Sequence, residues 1–454
     1  MPLSRSRVGW MLGLVAGLAV AGSPTWAQFG RDKDKNNKRP PTQPAATTPA
    51  NPQAARQPGQ PPKLTEKIAP KVLQLVQSRD WTLNIDLRIT AGWDYKVVDK
   101  ALFPDPKKFA FKTGAFVFPI LRSSATHRIE LDAQNKERVT AQLFWNDRLY
   151  DAEPTFQEGY QSGARLARWE VRDVEGSQAR IKIEKLLTSW NSVYDEDLAM
   201  TVPWPASWPA VPASSLQRQL FVESDAPEIK ELVNQWTEGK DPKSIPPAQL
   251  AKVLTGKVLE YAQPSGNGLV FTKAGELMGF DLRGALGVAR DARGSTHDIA
   301  CFHAAIFRAA GLPARTVIGY DQSEKDSGKG FGGKGNSKSA GGLRSWIEFA
   351  MVDPFDGKEF WIPVDVNRMR RSGSKAQALN RPWKYFGTHD EMAFLIPIAF
   401  QYHPPTSVSA TAPAFWGWLT TPQAVAQEQA LTFRVIRTPQ RGGEPNRRDK
   451  KREE

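Results

Sequence analysis

The sequence predicts an α+β protein in which an all-β N-terminal domain precedes a domain of helices and strands. Two observations predict this class. Across residues 64–202 apolar and polar side chains mainly alternate, as in the segment 81–89, and a period of two is typical of half-buried antiparallel strands. After residue 217 apolar side chains recur at helical spacing, as in the segment 226–236, and further strand-like segments follow.

The chain divides into segments of different composition. Residues 28–63 hold almost no large apolar side chain and are rich in Pro, Gln, Asn and Lys, which is typical of a flexible tether. In chain order we therefore predict a signal peptide at 1–27, a disordered Pro-rich linker at 28–63, a β-rich domain at 64–202, a Pro/Trp connector at 203–216, a helix-and-strand domain at 217–400, a C-terminal extension at 401–436 and a disordered basic tail at 437–454.

The first residues have the pattern of an export signal. Arg5 and Arg7 form a positive region, and residues 8–22 are an apolar and small-residue run that is shorter than the ~20 residues needed to span a bilayer. Ala21 and Ala27 each end a small-residue pattern of the kind found at cleavage sites. We therefore expect an extracytoplasmic protein, periplasmic or secreted, with an uncleaved signal anchor as the alternative.

The net charge of +13 sits mainly at the ends of the chain, because residues 64–436 carry only +3 of it. Basic ends attract polyanions without reading a base sequence, so we expect contacts with anionic surfaces and no specific nucleic-acid partner. The single cysteine excludes an intrachain disulfide and multi-cysteine metal sites, and the five histidines lack the spacing of metal ligands. We predict neither a metal nor a cofactor, and the sequence gives no indication of oligomeric state.

A long helix and three strands are predicted in the C-terminal half. Helical spacing runs from about Ser295 to Ala310 and stops at the Gly-Leu-Pro of 311–313, a combination that ends helices. Strand patterns follow at 316–320, 346–349 and 360–364. Residues 321–342 separate the first two of these strands; they are rich in Gly, Ser and Lys and are expected to form a mobile loop.

Four motifs occur in a fixed order in this half. The stretch 294–315 ends in Gly-Leu-Pro-Ala-Arg, and it is followed by Val-Ile-Gly-Tyr at 317–320, Arg-Ser-Trp-Ile-Glu at 344–348 and Trp-Ile-Pro-Val-Asp at 361–365. This ordered set resembles the transglutaminase-like superfamily over roughly residues 217–370. The resemblance implies a papain-like core in which helices pack on an antiparallel sheet.

In that family three residues build a thiol site. A Cys begins the core helix in a Gly-x-Cys pattern, a His precedes the strand Trp by two positions, and an Asp follows the next Trp-containing strand. Unmatched N–H groups at the helix N-terminus favour the thiolate, the His takes the proton, and the Asp orients that His.

This sequence departs from the family pattern at two of the three positions. Counting from the Gly-Leu-Pro-Ala-Arg ending places Thr296 at the cysteine position and Arg344 at the histidine position, while Asp365 keeps the acid position. A threonine hydroxyl needs a base, and arginine stays protonated and cannot act as one. We therefore predict a non-catalytic site in which Ser295 and Asp298 form a capping box and Arg344 pairs with Asp365.

Cys301 is the alternative nucleophile. His297 precedes it by four residues and shares its helix face, and His389 or His403 could reach the cleft from outside the motif. A cysteine among apolar neighbours is also typical of a small buried hydrophobe, and His303 is expected to be an interior or half-buried histidine.

Two functions remain open from the sequence. The first is an exported, non-catalytic transglutaminase-like protein that binds or scaffolds at the cell envelope, with a peptide or a cell-wall polymer in the cleft. The alternative is a cysteine-type amide hydrolase or acyltransferase, of the protease or transglutaminase class, that uses Cys301 or a recruited histidine. The rings of Trp204, Trp208, Trp416 and Trp418, in Pro- or Gly-flanked segments, either stack on such a ligand or pack in the core.

Overall fold

The structure is a computed structural model that describes residues 71–323, 342–402, 412–422 and 428–438. The predicted signal peptide, the Pro-rich linker, most of the 321–342 loop, His403 and nearly all of the basic tail lie outside these residues. What the sequence suggests for them stays a prediction.

Strands predominate in the described residues. The strands are, in chain order, β1 (Leu73–Thr90), β2 (Trp93–Val98), β3 (Ala101–Pro106), β4 (Phe109–Pro119), β5 (His127–Ile129), β6 (Val139–Trp145), β7 (Arg148–Leu149), β8 (Thr155–Tyr160), β9 (Ala164–Gly176), β10 (Gln178–Tyr194), β11 (Gln263–Pro264), β12 (Leu269–Phe271), β13 (Leu277–Phe280), β14 (Arg293–Gly294), β15 (Ala314–Asp321), β16 (Leu343–Val352), β17 (Glu359–Val364), β18 (Leu395–Ala399), β19 (Gly417–Thr421) and β20 (Glu428–Thr438). The helices are α1 (Glu196–Met200), α2 (Ala210–Ser214), α3 (Pro227–Trp236), α4 (Pro247–Tyr261), α5 (Gly284–Asp291), α6 (Thr296–Ala309) and α7 (Val366–Met369). Single 3-10 turns lie at Pro242–Ser244, Arg370–Ser372 and Met392–Phe394.

The largest sheet is antiparallel and has the strand order β12-β13-β20-β1-β10-β6-β7, with β5 also paired to β10. It forms because β1 and β10 alternate apolar and polar residues over most of their length. Ile85 faces Ile183 on one side and Phe433 on the other, and all three side chains are buried. The alternation therefore puts one apolar face of the sheet in the core.

A second antiparallel sheet, of order β19-β4-β9-β8, packs against the first. Trp145 of β6 contacts Phe111 and Phe116 of β4, with ring centroids 5.7 and 6.3 Å apart. Trp169 of β9 is fully buried. This arrangement confirms the predicted β-rich N-terminal region.

Later parts of the chain complete both sheets. β20 pairs with β1, and β19 pairs with β4, so the two sheets take strands from before and after the helical region. β20 also crosses the boundary predicted at residue 436. Local periodicity predicts that a segment is a strand but does not identify its partner, because strand pairing of this kind is long-range.

The helical region packs on a third antiparallel sheet, of order β17-β16-β15-β18. Its central helix is α6, which is buried along most of its length and lies against β15 and β16. The predicted capping box of Ser295 and Asp298 is present at its N-terminus, and Gly311 at φ +82° follows its C-terminus. Helices that pack on an antiparallel sheet, preceded in the chain by a β-rich region, confirm the predicted α+β class.

The described residues contain no candidate membrane-spanning helix and no candidate metal-binding cluster. No helix there is both long enough and apolar enough to span a membrane. In the same four ranges, no three His, Cys, Asp or Glu side chains are grouped so that they could hold a metal ion.

Candidate functional site

Thr296 lies in the first turn of α6, where the sequence places it, and is half-buried. Its backbone N–H donates to the carbonyl of Gly266 at 3.3 Å, and the Ser265 N–H donates to the Gly294 carbonyl at 2.7 Å. The loop before β12 therefore covers the N-terminus of α6. In a thiol site of the family type that N–H would face the reacting group, but here it already has an acceptor.

Arg344 is held between two buried carboxylates. It lies in β16 opposite Gly319 of β15. Its Nη2 donates to Asp365 Oδ2 at 2.5 Å and its Nη1 to Asp321 Oδ2 at 2.7 Å. Both carboxylates are fully buried, whereas the Arg344 side chain is 13% exposed. The predicted pairing of Arg344 with Asp365 is thus present, and Asp321 is a second partner that the sequence reasoning missed.

The strand register indicates that Asp321 is a neighbour of Arg344. Gly319 is the direct partner of Arg344, so Asp321, two residues further along β15, is a diagonal neighbour of Arg344 on the same face of the sheet. A long side chain such as arginine reaches that distance. Predicting the contact between Asp321 and Arg344 therefore requires the β15–β16 register, which the sequence alone does not provide.

Asp365 carries its negative charge despite complete burial. Burial alone would raise the pKa of this carboxyl, but the Arg344 guanidinium, His389 and the backbone N–H of Arg368 lower the pKa to about 2. The Arg368 N–H donates to Asp365 Oδ1 at 2.8 Å, so Asp365 is also the N-cap of α7. The carboxylate is therefore both an ion-pair partner and a structural cap.

His389 reaches this site from the C-terminal part of the chain, as the sequence left open. Its Nε2 lies 3.9 Å from Asp365 Oδ2, and its Nδ1 accepts the backbone N–H of Glu391 at 3.2 Å. Because Nδ1 is the acceptor, the neutral ring carries its proton on Nε2, facing the carboxylate. Burial lowers the pKa of His389, and the residue is 1% exposed, so the ring is neutral and shielded from solvent.

Asn367 joins the three predicted site segments. Its side-chain amide donates to the carbonyl of Thr296 at 2.9 Å and to the carbonyl of Ser345 at 3.4 Å. Asn367 lies two residues after Asp365, and Ser345 follows Arg344, so one side chain connects the start of α6, strand β16 and the start of α7. No pattern in the sequence indicates this bridge.

Cys301 is in the hydrophobic interior rather than at the mouth of a cleft. It is fully buried, and burial, with smaller contributions from Asp298 and Glu223, raises the pKa of the thiol well above its usual range. A neutral, enclosed thiol is a poor nucleophile. These surroundings favour the small buried hydrophobe over the alternative nucleophile.

The two histidines of α6 are also interior. His297 Nδ1 lies 2.5 Å from Ser345 Oγ and 2.7 Å from the Tyr402 hydroxyl, while His303 Nε2 lies 3.0 Å from Thr255 Oγ1. Burial lowers the pKa of each histidine to about 3, so both are neutral. Neither one contacts Cys301 in a way that would take its proton.

Two further motif residues, Arg315 and Glu348, form a buried ion pair. Arg315, at the end of the Gly-Leu-Pro-Ala-Arg stretch, lies directly opposite Glu348 on the β15–β16 ladder. Its Nη2 and Nε donate to Glu348 Oε2 at 2.7 and 3.0 Å, and its guanidinium stacks on Trp361 and Phe400, 3.9 and 3.8 Å from the ring centroids. Glu348 Oε1 also accepts the Ala125 N–H at 3.1 Å.

The tryptophans flanked by Pro or Gly pack against neighbouring residues and do not form an exposed surface. Trp416 and Trp418 are buried. Trp204 donates its indole N–H to the Ile245 carbonyl at 2.8 Å, and its ring meets that of Trp208 edge-on at 6.2 Å. These contacts favour the packing alternative over a stacking platform for a ligand.

A groove of about 460 Å³ lies beside the N-terminus of α6. It combines the loop that covers Thr296, the strand β12 and the capping box, and its lining residues are Ser265, Gly266, Asn267, Gly268, Leu269, Val270, Phe271, Asp281, Arg283, Ser295 and Asp298. We call it the α6 groove.

Comparison with known proteins agrees with the motif analysis. Residues 279–366 match the family model described as "Transglutaminase-like superfamily", and this segment contains Thr296, Arg344 and Asp365. The resemblance that the motifs carry is thereby confirmed for residues 279–366, which are similar to a transglutaminase-like core. No curated protein matches the chain.

Solved structures of two proteins are similar at low identity. One is titled a "Putative Cysteine Protease" from Cytophaga hutchinsonii and is 11% identical, covering 82% of this chain and 94% of that one, with a TM-score of 0.46. The other is titled a "putative protease" from Parabacteroides distasonis ATCC 8503 and is 14% identical, covering 54% of this chain and 43% of that one, with a TM-score of 0.21.

Proposed function

We propose that this chain is a non-catalytic transglutaminase-like protein that acts by binding. The observation that carries the proposal is the position of Arg344, a permanent cation fixed by Asp321 and Asp365 where the family resemblance places the proton acceptor. A guanidinium cannot take a proton from a nucleophile. Both of its carboxylate partners are buried, so the group is held in place by charge-assisted hydrogen bonds.

The other requirements for acyl transfer are also unmet. The hydroxyl of Thr296 is a weak nucleophile without a base, and its backbone N–H donates to Gly266. The imidazole beside the acid, that of His389, has its Nε2 facing Asp365 at 3.9 Å and carries its proton there. Cys301 is enclosed, with a raised pKa. These contacts favour a protein that has the fold of the transglutaminase-like core and lacks its thiol chemistry.

We place the ligand in the α6 groove and assign it the class of an extended peptide, free or carried by a cell-wall polymer. Strand β12 forms one wall and ends the order of the largest sheet, with no strand paired beyond it among the described residues. An extended peptide can add to such an edge through main-chain hydrogen bonds. Phe271, 38% exposed, offers an apolar contact, and the exposed Asp281 favours a cationic group on the peptide.

The site of action in this proposal is outside the cytoplasm. Its support is the sequence pattern of the first residues, namely Arg5 and Arg7 before the apolar run 8–22. A cell-wall polymer carrying peptides is a ligand that an exported binding protein would meet.

The absence of catalysis is tested with the purified full chain. Hydrolysis of peptide amides and transfer of glutamine acyl groups to a fluorescent amine should stay at the level of buffer alone. Thr296→Ala and Asp365→Asn should give the same background. Turnover by the wild-type chain that disappears in either variant would contradict the proposal.

Binding is tested by sedimentation with purified peptidoglycan sacculi. The wild-type chain should co-sediment, and Phe271→Asp should weaken retention because it places a charge in the α6 groove. Phe355→Asp is the matched control, since Phe355 is 90% exposed and is not among the groove residues. Equal retention of both variants would remove the groove from the proposal.

A further inference from the structure

The β2–β3 hairpin, residues 93–106, forms a small sheet of its own. Among the described residues its two strands pair only with each other. One of its faces carries apolar side chains that are largely exposed, namely Tyr95 by 66%, Val97 by 70% and Leu102 by 68%. A two-stranded ribbon is marginally stable in water, because three or more strands are usually needed for independent stability. The hairpin is therefore a candidate interaction surface.

The register of the hairpin shows which of its backbone groups point outward. Val98 pairs with Ala101 across a two-residue turn, and at the base of the hairpin the Lys107 N–H donates to the Gly92 carbonyl at 3.0 Å. Hydrogen-bonded and non-hydrogen-bonded pairs alternate along an antiparallel ladder. Both of these pairs fit the phase in which the even-numbered residues of β2 bond to β3. The N–H and carbonyl groups of the odd-numbered residues of β2 therefore point away from β3.

The two edges of the hairpin differ in the donors that they present. Pro104 and Pro106 of β3 lie opposite Tyr95 and Trp93, so they occupy outward-pointing positions and lack the N–H that a further strand would need. Prolines at such positions block the edge of a sheet. The outward positions of β2 are Trp93, Tyr95 and Val97, and each of them has a backbone N–H. The β2 edge is thus open to another strand, whereas the β3 edge is blocked.

The charges on the hairpin limit what this edge can accept. Lys96 Nζ lies 2.6 Å from Asp105 Oδ2, and Lys107 Nζ lies 3.1 Å from Asp94 Oδ1. These are surface ion pairs, which contribute little to stability and leave the four side chains able to interact further. The hairpin holds three aspartates and two lysines, so its charge does not favour an anionic membrane as the partner.

We propose that β2 pairs with β2 of a second copy of this chain, antiparallel, about a two-fold axis that passes between the two Tyr95 residues. In this register the outward-pointing positions of both strands face each other and form about six main-chain hydrogen bonds, two at each hydrogen-bonded pair. Asp94 lies opposite Lys96 of the second copy, and the symmetry repeats the pair. Both belong to non-hydrogen-bonded positions, where opposite side chains approach most closely.

The charge pattern selects this register over its neighbours. If the axis moved by one residue, Lys96 would lie opposite Lys96 of the second copy, or Asp94 opposite Asp94, and like charges directly opposite each other destabilise paired strands. A shift by half that step would bring the apolar face of one hairpin beside the polar face of the other. An Asp-Tyr-Lys sequence at an open edge is self-complementary, and an isologous contact between identical chains requires such a surface.

The first experiment measures the association of the purified full chain by sedimentation equilibrium over a wide range of concentration. A monomer–dimer equilibrium is expected. Asp94→Lys and Lys96→Asp should each weaken dimerisation by about tenfold, the factor that corresponds to about 1.4 kcal/mol, because each replaces attraction by repulsion at both symmetry-related pairs. The variant that combines the two substitutions restores opposite charges across the axis and should recover the affinity of the wild type.

A matched pair of proline variants tests the edge itself. Val97→Pro removes an outward N–H from β2 and should weaken dimerisation by about tenfold, since two interchain hydrogen bonds are lost by symmetry. Leu102→Pro is the control, because Leu102 lies directly opposite Val97 and its N–H points outward from β3. It should leave dimerisation unchanged. Neither N–H bonds across the hairpin, so both variants keep the β2–β3 ladder.

Three outcomes would overturn the proposal. They are a wild-type chain that stays monomeric at every concentration, a combined charge variant that dimerises no more tightly than either single variant, and equal weakening by Val97→Pro and Leu102→Pro. Failure of this proposal is distinguishable from failure of the proposed function, because the hairpin contributes no residue to the α6 groove.

Discussion

Two arginines on neighbouring strands occupy opposite ends of one ladder and have different surroundings. Arg315 of β15 lies opposite Glu348 of β16, and four residue pairs further along Arg344 of β16 lies opposite Gly319. Arg315 is 5% exposed and is enclosed by its carboxylate and two aromatic rings. Arg344 is 13% exposed and receives its two carboxylates from the ends of strands, Asp321 and Asp365.

The comparison distinguishes an ion pair that stabilises the fold from an ion pair that occupies the candidate functional site. The Arg315–Glu348 pair joins adjacent strands and also holds the Ala125 backbone of the N-terminal β region, so it stabilises the contact between the two parts of the fold. Arg344 joins three segments around the position where a thiol site would need a base. An ion pair in that place preserves the packing of the site while excluding proton transfer.

The largest expected effect is on the structural pair. Glu348→Ala should lower the free energy of unfolding by about 3–5 kcal/mol, because it leaves the Arg315 cation buried without its partner. Urea denaturation monitored by tryptophan fluorescence measures the loss. Glu228→Ala is the control, since Glu228 pairs with Arg290 at the surface, and it should change stability little. A similar, small loss in both variants would mean that the buried pair does not hold the two parts together.

Arg344→Ala should have a somewhat smaller effect, on the order of 3 kcal/mol. Removal of the cation leaves the carboxylates of Asp321 and Asp365 buried without compensation, although partial exposure and the Arg368 N–H reduce the cost. Urea denaturation again gives the value. Adding Asp321→Asn to Arg344→Ala should recover part of the loss, because one of the two uncompensated charges is removed. A double variant less stable than Arg344→Ala would contradict this account of the site.

The same site should give a pH-dependent signature. The folded-state pKa of Asp365 is lowered to about 2, against about 3.9 for an unfolded aspartate. The resulting stability, roughly 2–3 kcal/mol, is present above about pH 4 and is lost as the pH falls through the folded value. Without Arg344 the pKa rises, so the stability difference between wild type and Arg344→Ala should shrink as the pH is lowered from 4 to 2. A constant difference across that range would assign the stabilisation to another group.

The sequence was sufficient for features that depend on local order along the chain. The Gly-Leu-Pro-Ala-Arg ending set the register of α6, and from it came Thr296, the capping box and the pairing of Arg344 with Asp365. It was not sufficient for features that depend on pairing between distant segments. Asp321 became a partner of Arg344 only through the β15–β16 register, and β20 joined β1 across more than 300 residues. Periodicity predicts strands, but the partner of each strand is decided by packing of the whole chain.

The smallest expected effect on stability concerns Cys301, a buried residue of α6. Its thiol is enclosed and its pKa is raised by burial, so iodoacetamide at neutral pH should modify it very slowly in the native chain and at an ordinary rate in urea. The unfolded chain is the matched control, because it contains the same single thiol. Cys301→Ala should lower stability by about 1 kcal/mol, as expected for removal of one small buried group, and should leave sacculus binding unchanged. Rapid labelling of the native chain would contradict the burial of Cys301 and would reopen thiol chemistry, because an accessible thiolate can act as a nucleophile without the proton acceptor whose position Arg344 occupies.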